Sequence, residues 1–164
     1  MRLRFLVVPV AAGMAISGLA LADPGHKPGQ SHSHAGDTAY GMPGDPKKPA
    51  RPVHITMRET DDGKMQFVPD RIVVQRGEQI RFLLRNNGDV DHEFVVATLE
   101  DNLKHAEEMK KNPDMEHDDP NAKRLKPKKT GEILWRFTKA GEFDFSCLIP
   151  GHREAGMFGK VIVK

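Results

Sequence analysis

From Val53 to Lys164 the apolar side chains fall on alternate positions in short runs. A backbone of that period can hide them only by forming strands that share a buried face. Val53, Ile55 and Met57 alternate within Val53 to Arg58, Arg71 to Gln75 is rich in β-branched residues, and Ile80, Phe82 and Leu84 share a side of Gln79 to Arg85. The turn Arg76-Gly77-Glu78 separates the last two runs, and Asn86-Asn87-Gly88-Asp89 ends the second before His92 to Ala97 resumes the pattern. Ile133, Trp135 and Phe137 follow, then Phe143, Phe145 and Cys147, and finally Lys160 to Lys164. Short strands set apart by Gly and Asn turns imply an all-β fold, a Greek-key antiparallel β-sandwich.

The strand pattern fails between Leu99 and Lys129. His105 to Lys111 has the composition of a short helix, which Asn112-Pro113 should end because the residue before proline avoids the helical region. An insertion of this length in a small β domain calls for a purpose. It carries His105, Met109, Met115 and His117. The basic run Lys123, Arg124, Lys126, Lys128 and Lys129 reads as a solvated loop.

Ahead of the domain stand two segments of different character. Arg2 and Arg4, an apolar run from Phe5 to Leu21 and the small-x-small triplet Ala20-Leu21-Ala22 read as a signal peptide cleaved after Ala22, for export to the periplasm. The run is short for a membrane span and contains Pro9, Gly13 and Gly18, so no span is expected after cleavage. Asp23 to Pro52 is crowded with proline and glycine and reads as a disordered tail carrying His26, His32, His34 and Met42. The expected organisation is therefore 1–22 signal, 23–52 tail and 53–164 domain, with the insertion at about 99–129. Of 25 basic and 23 acidic residues, two arginines leave with the signal, and the balance becomes neutral. Such a chain has no electrostatic footprint for nucleic acid.

The lone cysteine, Cys147, cannot form an internal disulfide, and an exported thiol without one needs another explanation. Burial as a small hydrophobe is the plain one. Its neighbours suggest more. In Cys147-Leu148-Ile149-Pro150-Gly151-His152-Arg153-Glu154-Ala155-Gly156-Met157 a thiolate, an imidazole and a thioether stand at five-residue steps between two strands. Soft sulfur with imidazole selects copper over hard cations, and two His, one Cys and a weak axial Met make an electron-transfer copper set. The second imidazole must come from elsewhere in the fold. His92 fits, because it opens a strand and shares a side with Phe94 and Val96.

At these residues the sequence resembles the cupredoxin family of blue-copper proteins. The spacing Cys147-x4-His152-x4-Met157 and the turn Pro150-Gly151-His152 are similar to the longer ligand loops of azurin, auracyanin and rusticyanin, and His92 matches the family's upstream ligand. Phe67 to Val74, Gly77 and Ile80 to Phe82 resemble its early strands. The resemblance implies one type 1 copper held by His92, Cys147, His152 and Met157. Glu93 stands where many relatives carry Asn or Ser that ties the ligand loops together. The His- and Met-bearing tail and the Met115 to Pro120 stretch look most like periplasmic copper-tolerance cupredoxins.

Rival chemistries lack their residues. A dinuclear copper centre needs a second cysteine at position 151, which is Gly, and multicopper enzymes repeat the domain, whereas no repeat is present here. A Cys-His hydrolase needs an orienting third group and a cleft. The chain is thus expected to be a monomeric copper-binding protein and no enzyme. Two roles compete. Copper tolerance would use the main site, with weaker copper sites at His26, His32, His34, Met42, His105, Met109, Met115 and His117. Soluble electron transfer would use a redox partner docked near His152, beside Leu148, Ile149, Pro150 and Phe158.

Overall fold

The computed structural model describes residues 36–112 and 119–164. The signal segment, the tail up to residue 35 with His26, His32 and His34, and Met115 and His117 lie outside the described residues. In chain order the elements are β1 (Met42–Pro43), β2 (Arg51–Glu59), β3 (Met65–Val68), β4 (Arg71–Val74), β5 (Gln79–Asn86) and β6 (His92–Ala97). Then come α1 (Leu99–Lys111), β7 (Ala122–Leu125), β8 (Thr130–Arg136), β9 (Gly141–Ser146) and β10 (Phe158–Val163).

Ten strands make two five-stranded sheets, β1-β8-β5-β2-β3 and β4-β10-β9-β6-β7. The expected sandwich is present. Two pairs within it are parallel, β2 with β5 and β4 with β10, while the other named pairs are antiparallel. Alternation decides which face each strand buries. In β5 Ile80, Phe82 and Leu84 are buried while Arg85 is exposed. Between the sheets Phe67, Phe82, Phe94, Phe137 and Phe145 meet edge to face, tilted or stacked, with centroids 5.1 to 6.3 Å apart. Each such side chain contributes roughly 1.5–3 kcal/mol by leaving water.

The insertion is mainly a lid over the outer sheet face. Every residue of β6 is buried, which a single sheet face cannot account for. Val95 packs with Met109 of α1, Ala122 of β7 and Leu148 in a second, smaller core. The helix begins at Leu99, six residues earlier than the sequence pattern suggests, because Thr98 caps it: its hydroxyl accepts the Asp101 N–H at 3.0 Å. Glu100 and Asp101 in its first turn and Lys110 and Lys111 in its last complement the helix dipole. The basic run is only partly loop. Ala122 to Leu125 pairs with β6, burying Ala122 and Leu125 and exposing Lys123 and Arg124. With apolar residues at its two ends only, this strand shows no alternation.

The tail reading needs correction over its described part. Tyr40 is buried and stacks on Trp135 at 5.6 Å, and Trp135 Nε1 donates to the Tyr40 carbonyl at 2.9 Å. Met42 and Pro43 pair with Arg136 and Trp135 of β8. Asp45 and Gln79 exchange hydrogen bonds, backbone N–H to Oε1 at 2.7 Å and Nε2 to carbonyl at 3.0 Å. Isolated apolar residues in a polar stretch gave no periodic signal, yet one aromatic placed on Trp135 orders the segment. β2 likewise starts at Arg51, two residues ahead of Val53.

Candidate metal centre

β9 and β10 form an antiparallel pair, so the stretch from Cys147 to Met157 is the loop of a hairpin. Its ends are tied by the Cys147 N–H donating to the Met157 carbonyl at 3.1 Å. Within it the His152 N–H donates to the Ile149 carbonyl at 3.0 Å across Pro150-Gly151. Proline presets the second position of such a turn, and the third requires positive φ, which Gly151 supplies at 89°. Met65 of β3 braces the loop from outside, donating its N–H to the Ala155 carbonyl at 3.0 Å.

This turn carries His152 back over Cys147, and β6, the neighbour of β9, delivers His92 from the other side. His152 Nδ1 lies 3.3 Å from both Cys147 Sγ and His92 Nδ1. The ligand atoms of His92, Cys147 and His152 all fall within 4.8 Å of one another. His92 and Cys147 are fully buried, whereas His152 keeps part of its ring at the surface. Met157 is fully buried at the far end of the loop, in the core cluster that contains Cys147. One thiol and two imidazoles aimed at one another, with a thioether on the same loop, fit a soft metal and copper in particular.

Electrostatics prepare the three donors unequally. Burial pushes the Cys147 thiol up to about 12, although the Glu93 and Ile149 N–H groups that point at the sulfur favour its thiolate. Burial also lowers both imidazoles below their ordinary range. Without metal at neutral pH the thiol therefore carries its proton and the imidazoles are neutral. Copper uptake is expected to release one proton per ion, from Cys147, so affinity should rise about tenfold per pH unit between the imidazole and thiol ranges. Titration with Cu(II) in weakly buffered solution measures that release, and a pH-independent affinity would contradict it.

Glu93 resolves its departure from Asn or Ser in an unexpected way. Its N–H donates to Cys147 Sγ at 3.3 Å, which joins β6 to the ligand loop, and its side chain is buried near the Leu148 N–H, the residue being 3% exposed. Burial pushes this carboxyl up to about 7, only partly offset by Arg124.

Several supporting groups give no signal in the sequence pattern. Asn86 is buried and donates to the carbonyls of Val90 and Leu125 at 2.8 and 3.0 Å, which shapes the approach to His92. Arg153, next to His152, forks onto Asp144 at 3.0 and 3.2 Å and lies over the Phe158 ring at 5.0 Å. Asn102 of α1 donates to the same carboxylate at 2.7 Å, so the insertion braces the ligand loop through one buried acid. Glu59, at the end of β2, places Oε1 3.0 Å from His92 Nε2.

Of the secondary candidates, Met42, His105 and Met109 lie among the described residues. Among the described residues His92, Cys147 and His152 form the one cluster of His, Cys and acidic groups able to hold an ion. Met109 is core, 1% exposed. Met42 is half-buried in β1 and His105 half-buried on α1. Leu148, expected beside His152 at a docking surface, is instead buried under α1, while Pro150 and Phe158 are exposed.

The family model for copper binding proteins of the plastocyanin/azurin family matches residues 54–164. Over 166 aligned residues the chain is 48% identical to the copper-resistant cuproprotein CopI of Rubrivivax gelatinosus, spanning 99% of this chain and 97% of that protein. It is 37% identical to the protein of the same description from Vibrio cholerae, over 74% of this chain and 70% of the relative. Among solved structures, auracyanin B superposes with a TM-score of 0.59 at 22% identity, covering 76% of this chain and 96% of its own.

Proposed function

Because the chain belongs to the plastocyanin/azurin family of copper-binding proteins, we propose that it is a periplasmic type 1 copper protein that contributes to copper tolerance by binding copper. His92, Cys147, His152 and Met157 hold the metal in this reading. The observation that carries it is the convergence of the first three within 4.8 Å, two of them fully buried. Similarity along nearly the whole chain to a protein described as copper-resistant favours tolerance over electron carriage. Export follows from the signal-like segment, with cleavage after Ala22 and a monomeric product.

The residues divide the work. His92 and Cys147 supply buried donors at the ends of paired strands, and His152 at the surface is where an ion or an electron enters. Copper, when bound, supplies a centre stable as Cu(I) or Cu(II). With four protein donors no position stays open for substrate, which catalytic metals require, so the protein binds and does not turn over. Steady oxygen consumption with phenols at one copper per chain would contradict that.

Tolerance is tested in the host. A strain lacking the gene should regain growth on copper with the wild-type gene and not with Cys147→Ser. Full rescue by the serine variant would remove the main site from the tolerance role. Rescue by neither, with a changed redox phenotype, would favour electron transfer through a partner docked at His152.

A further inference from the structure

Glu59 enters from the opposite sheet. It closes β2, and its carboxylate reaches under the turn that leads into β6. Oε2 accepts the Asp89 N–H at 3.0 Å and Oε1 accepts the Val90 N–H at 3.1 Å. Oε1 also lies 3.0 Å from His92 Nε2, at an angle short of a hydrogen bond, and no other partner among the described residues reaches that buried nitrogen. Two further contacts hold the arrangement. The Asn87 N–H donates to the Met57 carbonyl at 2.8 Å, which pins the turn onto β2. A Cβ on Gly88 would stand 2.3 Å from Glu59 Oε2 and 2.7 Å from Oε1, so the carboxylate occupies space that only glycine leaves open.

A buried imidazole with one nitrogen toward a metal needs a partner for the other, and that partner fixes its tautomer and its strength as a donor. We propose that Glu59 is a positioning residue for the copper site: it holds the proton of His92 on Nε2, turns Nδ1 toward Cys147 and His152, and biases the centre toward Cu(II). A carboxylate beside Nε2–H makes the imidazole a more basic donor, and the more highly charged ion gains more from it. Both of its oxygens accept backbone N–H groups of the turn, which favour a carboxylate over the neutral acid. The proposal rests on the ligand set given above.

The test begins with the wild-type protein. Strong visible absorption at one copper per chain establishes the ligand set, and its absence sinks that reading separately. Glu59→Gln keeps an oxygen for the turn N–H groups but removes the charge. It is expected to weaken Cu(II) binding about tenfold more than Cu(I) binding, which raises the reduction potential by about 59 mV. Gly88→Ala should shift the potential in the same direction by displacing the carboxylate without changing it. Nitrogen NMR of His92 in the metal-free wild-type protein should find the proton on Nε2. A folded Glu59→Gln with wild-type potential, or the proton on Nδ1, overturns the assignment.

Discussion

A Cys147→Ser variant loaded with Cu(II) is expected to be colourless where the wild-type protein absorbs strongly in the visible, and to hold the ion at least about a hundredfold less tightly. Colour of this kind arises when thiolate sulfur donates charge to Cu(II), and Cys147 is the only thiol in the chain. The affinity loss follows from comparison: altering a group that merely supports a ligand costs about 10–100-fold, so deleting a ligand should cost more. The fold should survive, since serine fills the same space and the Glu93 and Ile149 N–H groups that face sulfur can donate to oxygen. Absorption spectra and a competition titration read the two effects. A colourless wild-type copper complex would sink the assignment of the site.

Met157→Leu separates the thioether from its packing. A thioether at Met157 would hold copper only weakly, so copper should stay bound to the variant while the visible bands shift. Leucine nearly conserves the buried volume, and the stability cost should remain under about 1.5 kcal/mol. Loss of copper from this variant would mean that Met157 does more than an axial ligand does.

What could be read in the sequence was whatever has a period or a tight spacing. Strands such as β5 and β8 announce themselves by alternation because one face is buried and the other wet. The proposed ligand loop stands out because a thiol, an imidazole and a thioether lie within eleven residues of chain. His92 needed one inference more, since only the fold brings it to Cys147. The groups that support them are silent for a physical reason: Glu59, Asn86 and Asp144 act through contacts across 30, 39 and 42 residues of chain respectively. Nothing local distinguishes such an acid or amide from a solvated one. β7 was hidden in the same way, because the cover that buries its ends comes from elsewhere.

The segment from Gly36 to Ala50 turns the tail into two parts with opposite expected behaviour. Removing residues 23–35 takes away His26, His32 and His34 but leaves Tyr40 and β1 in place, so the thermal midpoint should not change. If those histidines capture copper, the number of ions bound per chain should fall while the visible band persists; a stoichiometry of one, unaffected by the deletion, would make the segment a linker and move weight to electron transfer. Tyr40→Ala should do the reverse. It uncovers Trp135, leaves Asn121 Nδ2 without its 3.5 Å contact to the Tyr40 hydroxyl, and removes the side chain that holds the Trp135 Nε1 acceptor in position. Truncating a buried aromatic costs about 3–5 kcal/mol, and the lower end applies here because the segment regains conformational freedom once it detaches. A loss of about 3 kcal/mol corresponds to a fall of roughly 10 °C in thermal midpoint for a domain of this size. Copper stoichiometry and colour should stay as in the wild type, because Tyr40 lies against β8, in the sheet opposite the β9–β10 pair that carries the loop from Cys147 to Met157. A Tyr40→Ala protein that melts with the wild type would show that the stacking of Tyr40 on Trp135 contributes nothing to the stability of the fold.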